Sequence, residues 1–245
     1  MLRWTGWLPG WASRFRGSGS YWEKRYRSGG TSGEGSYGRL AAFKAEVLNA
    51  FVQRHGIHHV LELGCGDGNQ LSFAEYRDYT GLDIAPEAVR RCRERYAGDQ
   101  NKRFLMYDPA SYEPGQTTGR ADLALSLDVI FHLVEDEVFD AYMRHLFASS
   151  HRFVGIYSSN FDAPGGPKAP HVRHRRFADW IATHRPESVL IEHIPNRYPR
   201  SLADGGEVSF ADFFFYDERR EEDGRLSPGE ASSDRSKSPF ESSAS

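Results

Sequence analysis

The sequence predicts an α/β fold: a seven-stranded, mostly parallel, doubly wound sheet whose last strand runs antiparallel. Three observations carry that expectation. Short apolar runs alternate with segments of helical period between residues 41 and 217, the pattern of a parallel sheet covered on both faces. Three of those runs end in glycines or acids. The last two runs are joined by PNRYPRSLADGGE, which is too short and too polar to carry a parallel crossover.

The elements follow in order. Phe43 to Arg54 places Phe43, Val47, Leu48, Phe51 and Val52 at helical spacing. HVLEL at 59–63 is a first strand closed by Gly64, and Gln70 to Tyr76 suits a helix. YTGLDI at 79–84 is the second strand. Pro86 opens the next helix, where its fixed φ fits the first turn. RFLMYD at 103–108 and ADLALSLD at 121–128 are strands three and four. EDEVFDAYMRHLF starts with acids and ends near Arg144 and His145, as the helix dipole favours. RFVGIYSS, RRFADWIATHR, SVLIEHI and VSFADFFFYD complete the set as strand, helix, strand and strand.

Composition bounds the rest. The 245 residues suit one domain, and a mean hydropathy of -0.63 over a chain that must fold points to polar ends. A formal net charge of -3 speaks against nucleic-acid binding by bulk electrostatics. Cys65 and Cys92 are too few for a disulfide scaffold or a cysteine zinc site. No apolar run approaches the roughly 20 residues of a membrane span, and no signal peptide is evident, so a cytoplasmic protein is expected. The chain divides into an arm at 1–20, a glycine-rich lid at 21–40, a domain at 41–217 and a polar tail at 218–245, expected to be disordered. The arm holds Trp4, Trp7 and Trp11, and could touch a partner or a membrane surface.

Chemistry concentrates at the strand ends, where open α/β sheets bind ligands. The first strand runs into LELGCGDGNQL, with Gly64, Gly66 and Gly68 alternating. Asn69 stands where a dinucleotide loop would have its last glycine, and Glu62 would repel a pyrophosphate while attracting an ammonium or sulfonium. Strand two ends in Asp83, at ribose-binding reach of the loop. Strand three ends in Asp108, an acid able to accept a bond from an adenine amino group.

Glu-x-Gly-x-Gly-x-Gly after a strand, an acid ending strand two and an acid after strand three together resemble the class I S-adenosylmethionine-dependent methyltransferases, with their Rossmann-like fold. The resemblance covers residues 41–217. It implies S-adenosylmethionine as cofactor, with Glu62, Gly64, Gly66 and Gly68 along its methionine part, Asp83 at the ribose and Ile84 against the adenine. It places Asp108 at the adenine amino group, and Leu127 and Asp128 beside the sulfonium. The lid, with Tyr21, Trp22, Arg25 and Tyr26 before five glycines, resembles an amino-terminal cover found in a subgroup of that superfamily. It brings forward Arg25 for the methionine carboxylate and Tyr21 or Tyr37 for the sulfonium.

For the chemistry, His132 is the candidate base, with Asp128 beside it at the end of strand four. The loop after strand five carries His171, Arg173 and His174, a candidate seat for an anionic acceptor such as a phosphate- or carboxylate-bearing sugar. Asp128, His132 and Glu135 match no firm metal-ligand spacing, so no metal is expected. The expectation is methyl transfer to an oxygen of a small polar acceptor, such as a sugar or glycan. Alternatives are a methyltransferase of lipid or protein, a non-catalytic cofactor-binding partner subunit and, last, a nicotinamide-dependent oxidoreductase.

Overall fold

The computed structural model describes residues 17–116, 118–163, 169–202 and 205–218. The expectations for Trp4, Trp7 and Trp11 and for residues 219–245 fall outside them. Seven strands form one sheet in the order β3-β2-β1-β4-β5-β7-β6. They are β1 His59–Leu63, β2 Asp78–Asp83, β3 Lys102–Met106, β4 Ala121–Leu127, β5 Ser150–Ser158, β6 Val189–Ile194 and β7 Asp212–Asp217. β1 to β5 run parallel, and β7 is antiparallel to both β5 and β6. The hairpin at the end was legible in its short link. The insertion of β7 between β5 and β6 was not, because strand order depends on which apolar faces meet.

The central strands are buried on both sides, so they read as unbroken apolar runs. Two apolar layers flank the sheet. One packs Phe43, Leu48 and Phe51 of α2 (Gly38–His55) on Phe153, Phe213 and Phe215. The other packs Phe139, Tyr142, Met143, Leu146 and Phe147 of α4 (Asp136–Ala148) on Leu61, Leu63 and Val154. Burying each such side chain contributes about 1.5–3 kcal/mol. α3 (Pro86–Arg95) and α5 (Phe177–His184) complete the layers.

Two local readings change. One helix, α1 (Ser18–Arg27), spans the expected boundary between arm and lid, so the cover begins at Ser18. The expected helix at Gln70–Tyr76 is a single 3-10 turn, Gln70–Phe73. Side chains compete with the backbone there. The Asn49 amide donates to the Phe73 carbonyl and its oxygen accepts the Glu75 N–H, drawing the chain straight after Ala74.

Candidate active site

The parallel strands end beside a cavity of about 900 Å³, counting its open mouth. β1 supplies Glu62 and then Gly64, Cys65 and Gly66. β2 supplies Asp83 and Ile84, the segment after β3 supplies Tyr107 and Pro109, and β4 supplies Leu127, Asp128 and Val129. His132 and Leu133 close one side, and the lid lies across the top with Ser18, Gly19, Trp22, Tyr26, Ser32 and Ser36.

Gly64 and Gly66 adopt φ of 85° and 60°, backbone that L side chains rarely take. A Cβ on Gly66 would lie 2.3 Å from Ser32 Oγ, and one on Gly64 2.5 Å from Val129 Cγ2. The loop therefore needs glycine for its own packing against lid and β4, before any ligand enters. Gly68 stands back from the cavity, where its carbonyl accepts the Tyr96 hydroxyl at 2.7 Å.

Asp83 is buried, and its oxygens accept the N–H groups of Gly66 at 2.9 Å and Ala85 at 2.8 Å. It thus ties the glycine loop to the end of β2 and keeps lone pairs for a ligand hydroxyl. Burial pushes its carboxyl up to about 6 against those two bonds. Glu62 is also buried and accepts the Tyr79 hydroxyl at 2.7 Å. Burial raises it to about 7, opposed by that bond and by Lys44.

Asp128 has φ 59°, the one non-glycine residue at positive φ among the described residues. Such backbone costs of order 1–3 kcal/mol and persists where its surroundings hold it. Here the holder is Lys44 of α2, whose ammonium sits 2.6 Å from Asp128 Oδ2 with its side chain 1% exposed.

The imidazole of His132 donates from Nδ1 to the His171 carbonyl at 2.9 Å. A carbonyl only accepts, so Nδ1 carries the hydrogen and Nε2 holds the free lone pair. Burial holds its pKa down near 4, so it stays neutral at pH 7.

The lid is fastened at three places. Ser18 gives its N–H and its hydroxyl to Glu135, at 2.9 and 2.6 Å, and accepts the Val134 N–H. Arg91 of α3 donates to the carbonyls of Tyr26 and Gly30. Buried Asp67, between two glycines of the loop, accepts from Ser32 N–H, Tyr37 hydroxyl and Asn69 N–H. Burial would raise its pKa, but those bonds win and hold it low.

The candidates named from sequence separate into two groups. Glu62, Gly64, Gly66, Asp83, Ile84, Leu127, Asp128 and His132 line one cavity. The remaining ones sit around it. Tyr37 is spent on Asp67, and Arg25 donates to the Thr31 carbonyl and shapes the lid turn. Tyr21 stacks on the His171 ring at 4.2 Å. Exposed Asp108 accepts from Ala110 N–H and Ser111 hydroxyl in its own turn, while its neighbours Tyr107 and Pro109 reach the cavity. Arg173 pairs with Asp136, as does Arg175, so that acid neutralises much of the basic loop. His174 bonds Ser159 Oγ away from the cavity. Ser18, Gly19, Tyr26, Ser32, Gln70 and Lys44 were missed. Only tertiary contact marks them, apart from Tyr26 in the aromatic run of the lid.

Similarity to known proteins agrees with this geometry. Residues 60–150 match the family described as a methyltransferase domain. The matched segment is a methyltransferase domain, and it holds the glycine loop, Asp83 and Asp128. Over 48 residues the chain is 42% identical to a putative methyltransferase of Mycobacterium tuberculosis, a stretch covering 18% of this chain and 29% of that protein. The chain thus aligns with less than a third of that relative's length. Two solved structures holding S-adenosylhomocysteine share the fold. One is the magnesium protoporphyrin IX methyltransferase of Synechocystis PCC 6803, with TM-score 0.59, 15% identity, and 83% of this chain and 100% of that chain covered. The other is the N-methyltransferase NodS of Bradyrhizobium japonicum WM9, with TM-score 0.60, 14% identity, and 82% and 98% covered. A putative RNA methyltransferase of Pyrococcus horikoshii is similar with TM-score 0.54, 14% identity, and 82% and 89% covered.

The cavity fits S-adenosylmethionine. Its charged lining consists of Glu62, Asp83 and Asp128, with no Lys or Arg among the lining residues. Gln70 Oε1, in a residue of the same wall, is buried without a hydrogen-bond partner among the described residues. Glu62, Asp83 and the orphaned acceptor suit a ligand with ammonium and sulfonium charges and oppose a pyrophosphate, while Asp128 is paired with Lys44.

A pH dependence follows. With Glu62 near 7 and Asp83 near 6, the native apo domain holds protons that the unfolded chain releases near pH 4–4.5. These two groups therefore lower its stability as pH rises from about 4.5 to 7. A bound cation favours the carboxylates and reverses this. The affinity for S-adenosylmethionine should rise from pH 5.5 to 7.5, by up to roughly tenfold per unit for each proton that must leave. Calorimetric titration at several pH values checks it. An affinity that falls over this range contradicts the assignment.

Proposed function

We propose that the chain transfers a methyl group from S-adenosylmethionine to an oxygen of a small polar acceptor. The observation that carries this reading is one wall bearing both halves of the chemistry: an acid-lined cavity for a cationic donor, and His132 with Nε2 unprotonated beside it. When bound, the cofactor supplies a methyl carbon activated by its sulfonium.

The chain's own residues do the rest. Asp83 holds the ribose hydroxyls, and Ile84, Pro109, Leu133 and Val138 offer an apolar slot for the adenine. Glu62 and Gln70 Oε1 receive the ammonium of the methionine part. Asp128, fixed by Lys44, and Leu127 border the sulfonium. The lid excludes water, which strengthens these charges. His132 Nε2 takes the acceptor's hydroxyl proton as the oxygen becomes the nucleophile. A sugar hydroxyl is the expectation from sequence, and the aromatic cluster described below narrows it.

The Ser18–Glu135 clasp should set how long the lid stays shut. Ser18→Ala removes the hydroxyl's bonds to Glu135 and Val134. Closure should lose about 1–2 kcal/mol, read in stopped flow as S-adenosylhomocysteine release faster by roughly five- to thirtyfold. An unchanged release rate would show that another contact holds the lid.

The function itself is tested by incubating the full chain and a metabolite pool with isotope-labelled methyl donor. Mass spectrometry should find a labelled methyl ether and S-adenosylhomocysteine in equal amounts. Turnover of the donor with label only on nitrogen or carbon would overturn the oxygen assignment.

A further inference from the structure

We propose that the aromatic cluster beside Phe131, formed by Phe161, His174, Arg200 and Phe210, seats a planar ring carrying an anionic group, so that the acceptor is a hydroxylated aromatic acid. This rests on the methyl-transfer reading above and names its substrate class. The four residues come from loops at the carboxyl end of the sheet, the end that bears the glycine loop. The His174 ring stacks on Phe161 with centroids 4.8 Å apart and meets Phe210 edge-on at 4.5 Å. Phe131 joins this cluster to the cavity. Its ring lies 4.8 Å from Phe210 and 4.5 Å from His132. Phe161 is 42% exposed, an apolar face that solvent or a ligand must cover.

Charge selects the ligand. The Arg200 guanidinium lies 4.8 Å over Phe210, is exposed, and has no carboxylate within ion-pair distance among the described residues. Arg173 and Arg175, by contrast, share Asp136. From His132 to Phe131, Phe210 and Arg200 the steps are 4.5, 4.8 and 4.8 Å, so an unbroken run of ring contacts connects base and cation. Polar groups for sugar hydroxyls are scarce here. Ser159 is bonded to His174, and Asn160 Oδ1 accepts the Ala178 N–H. A base held near pH 4 also suits a phenol, whose pKa is about 10, better than an aliphatic alcohol, since proton transfer weakens as the mismatch grows.

The test is calorimetry on the full-length chain saturated with S-adenosylhomocysteine, using 4-hydroxycinnamate, its neutral amide and glucose 6-phosphate. The acid should bind at least tenfold more tightly than either of the others. Arg200→Gln should weaken the acid tenfold or more and leave the amide unchanged, and Phe210→Leu should weaken both. Melting temperature and S-adenosylhomocysteine affinity should stay as in the parent. No binding of the acid, equal weakening of acid and amide by Arg200→Gln, or preference for glucose 6-phosphate each overturns the proposal while leaving methyl transfer standing. Failure of S-adenosylhomocysteine itself to bind removes the methyl-transfer reading and this proposal together.

Discussion

Asp83→Ala should weaken S-adenosylmethionine binding by roughly 100-fold, about 2.7 kcal/mol, which is more than ribose contacts alone would cost. Sequence suggests one job for this acid, at the ribose. The structure adds a second, because its carboxylate also accepts the Gly66 and Ala85 amides at 2.9 and 2.8 Å. Removing it loses the ribose bonds and releases the loop that shapes the methionine half of the cavity. The protein need not lose much stability, since a carboxyl raised by burial to about 6 is one whose ionisation the fold opposes. Asp83→Asn separates the two jobs. One amide oxygen can still hold one backbone N–H, so binding should recover partly. Calorimetry with a melting scan checks both variants. Affinity within threefold of the parent for Asp83→Ala would move the ribose elsewhere.

His132→Ala should slow turnover by roughly 10²-fold or more and leave S-adenosylhomocysteine affinity within about threefold. The imidazole is oriented by the His171 carbonyl at Nδ1 and braced by the edge of Trp22 at 4.8 Å, so Nε2 is held in one place. With its pKa near 4, a basic His132 is deprotonated throughout neutral pH. The rate should therefore show no ionisation of this group above about pH 5, only a fall toward pH 4. A bell whose acid limb lies near 6.5, abolished in His132→Ala, would show that the imidazole titrates as if in water. A normal rate in the variant would remove it from the mechanism.

Several of these features could be read from the chain because they rest on local rules. Strand ends, the glycine spacing and Asp83 lie within 25 residues of each other, and backbone sterics alone mark the turn. The alternation of strand and helix fixed the sheet type, and the short last link fixed the antiparallel turn. Other features were invisible because they depend on distant partners. Lys44 looks like a surface lysine in a helix, yet α2 packs so that its ammonium reaches Asp128. Arg173 looked available for an anion until Asp136, thirty-seven residues earlier, was found beside it. Asp108 and Tyr107 are adjacent, and only the chain's path after β3 decides that Tyr107 faces the cavity while Asp108 closes its own turn. Arg200 reads like any other loop arginine, because only the folded chain shows that no carboxylate lies within ion-pair distance of it among the described residues.

An acid-lined cavity under the lid should bind a cationic sulfur compound. The most direct test is parallel calorimetry of S-adenosylmethionine, S-adenosylhomocysteine and NADH on the full chain and on Glu62→Gln. One site is expected for each of the first two ligands, and no detectable heat with NADH. Glu62→Gln should weaken S-adenosylmethionine and S-adenosylhomocysteine alike, because both carry the ammonium that Glu62 receives. Binding of NADH without S-adenosylmethionine, or a Glu62→Gln variant that binds S-adenosylmethionine as tightly as the parent, would contradict this assignment.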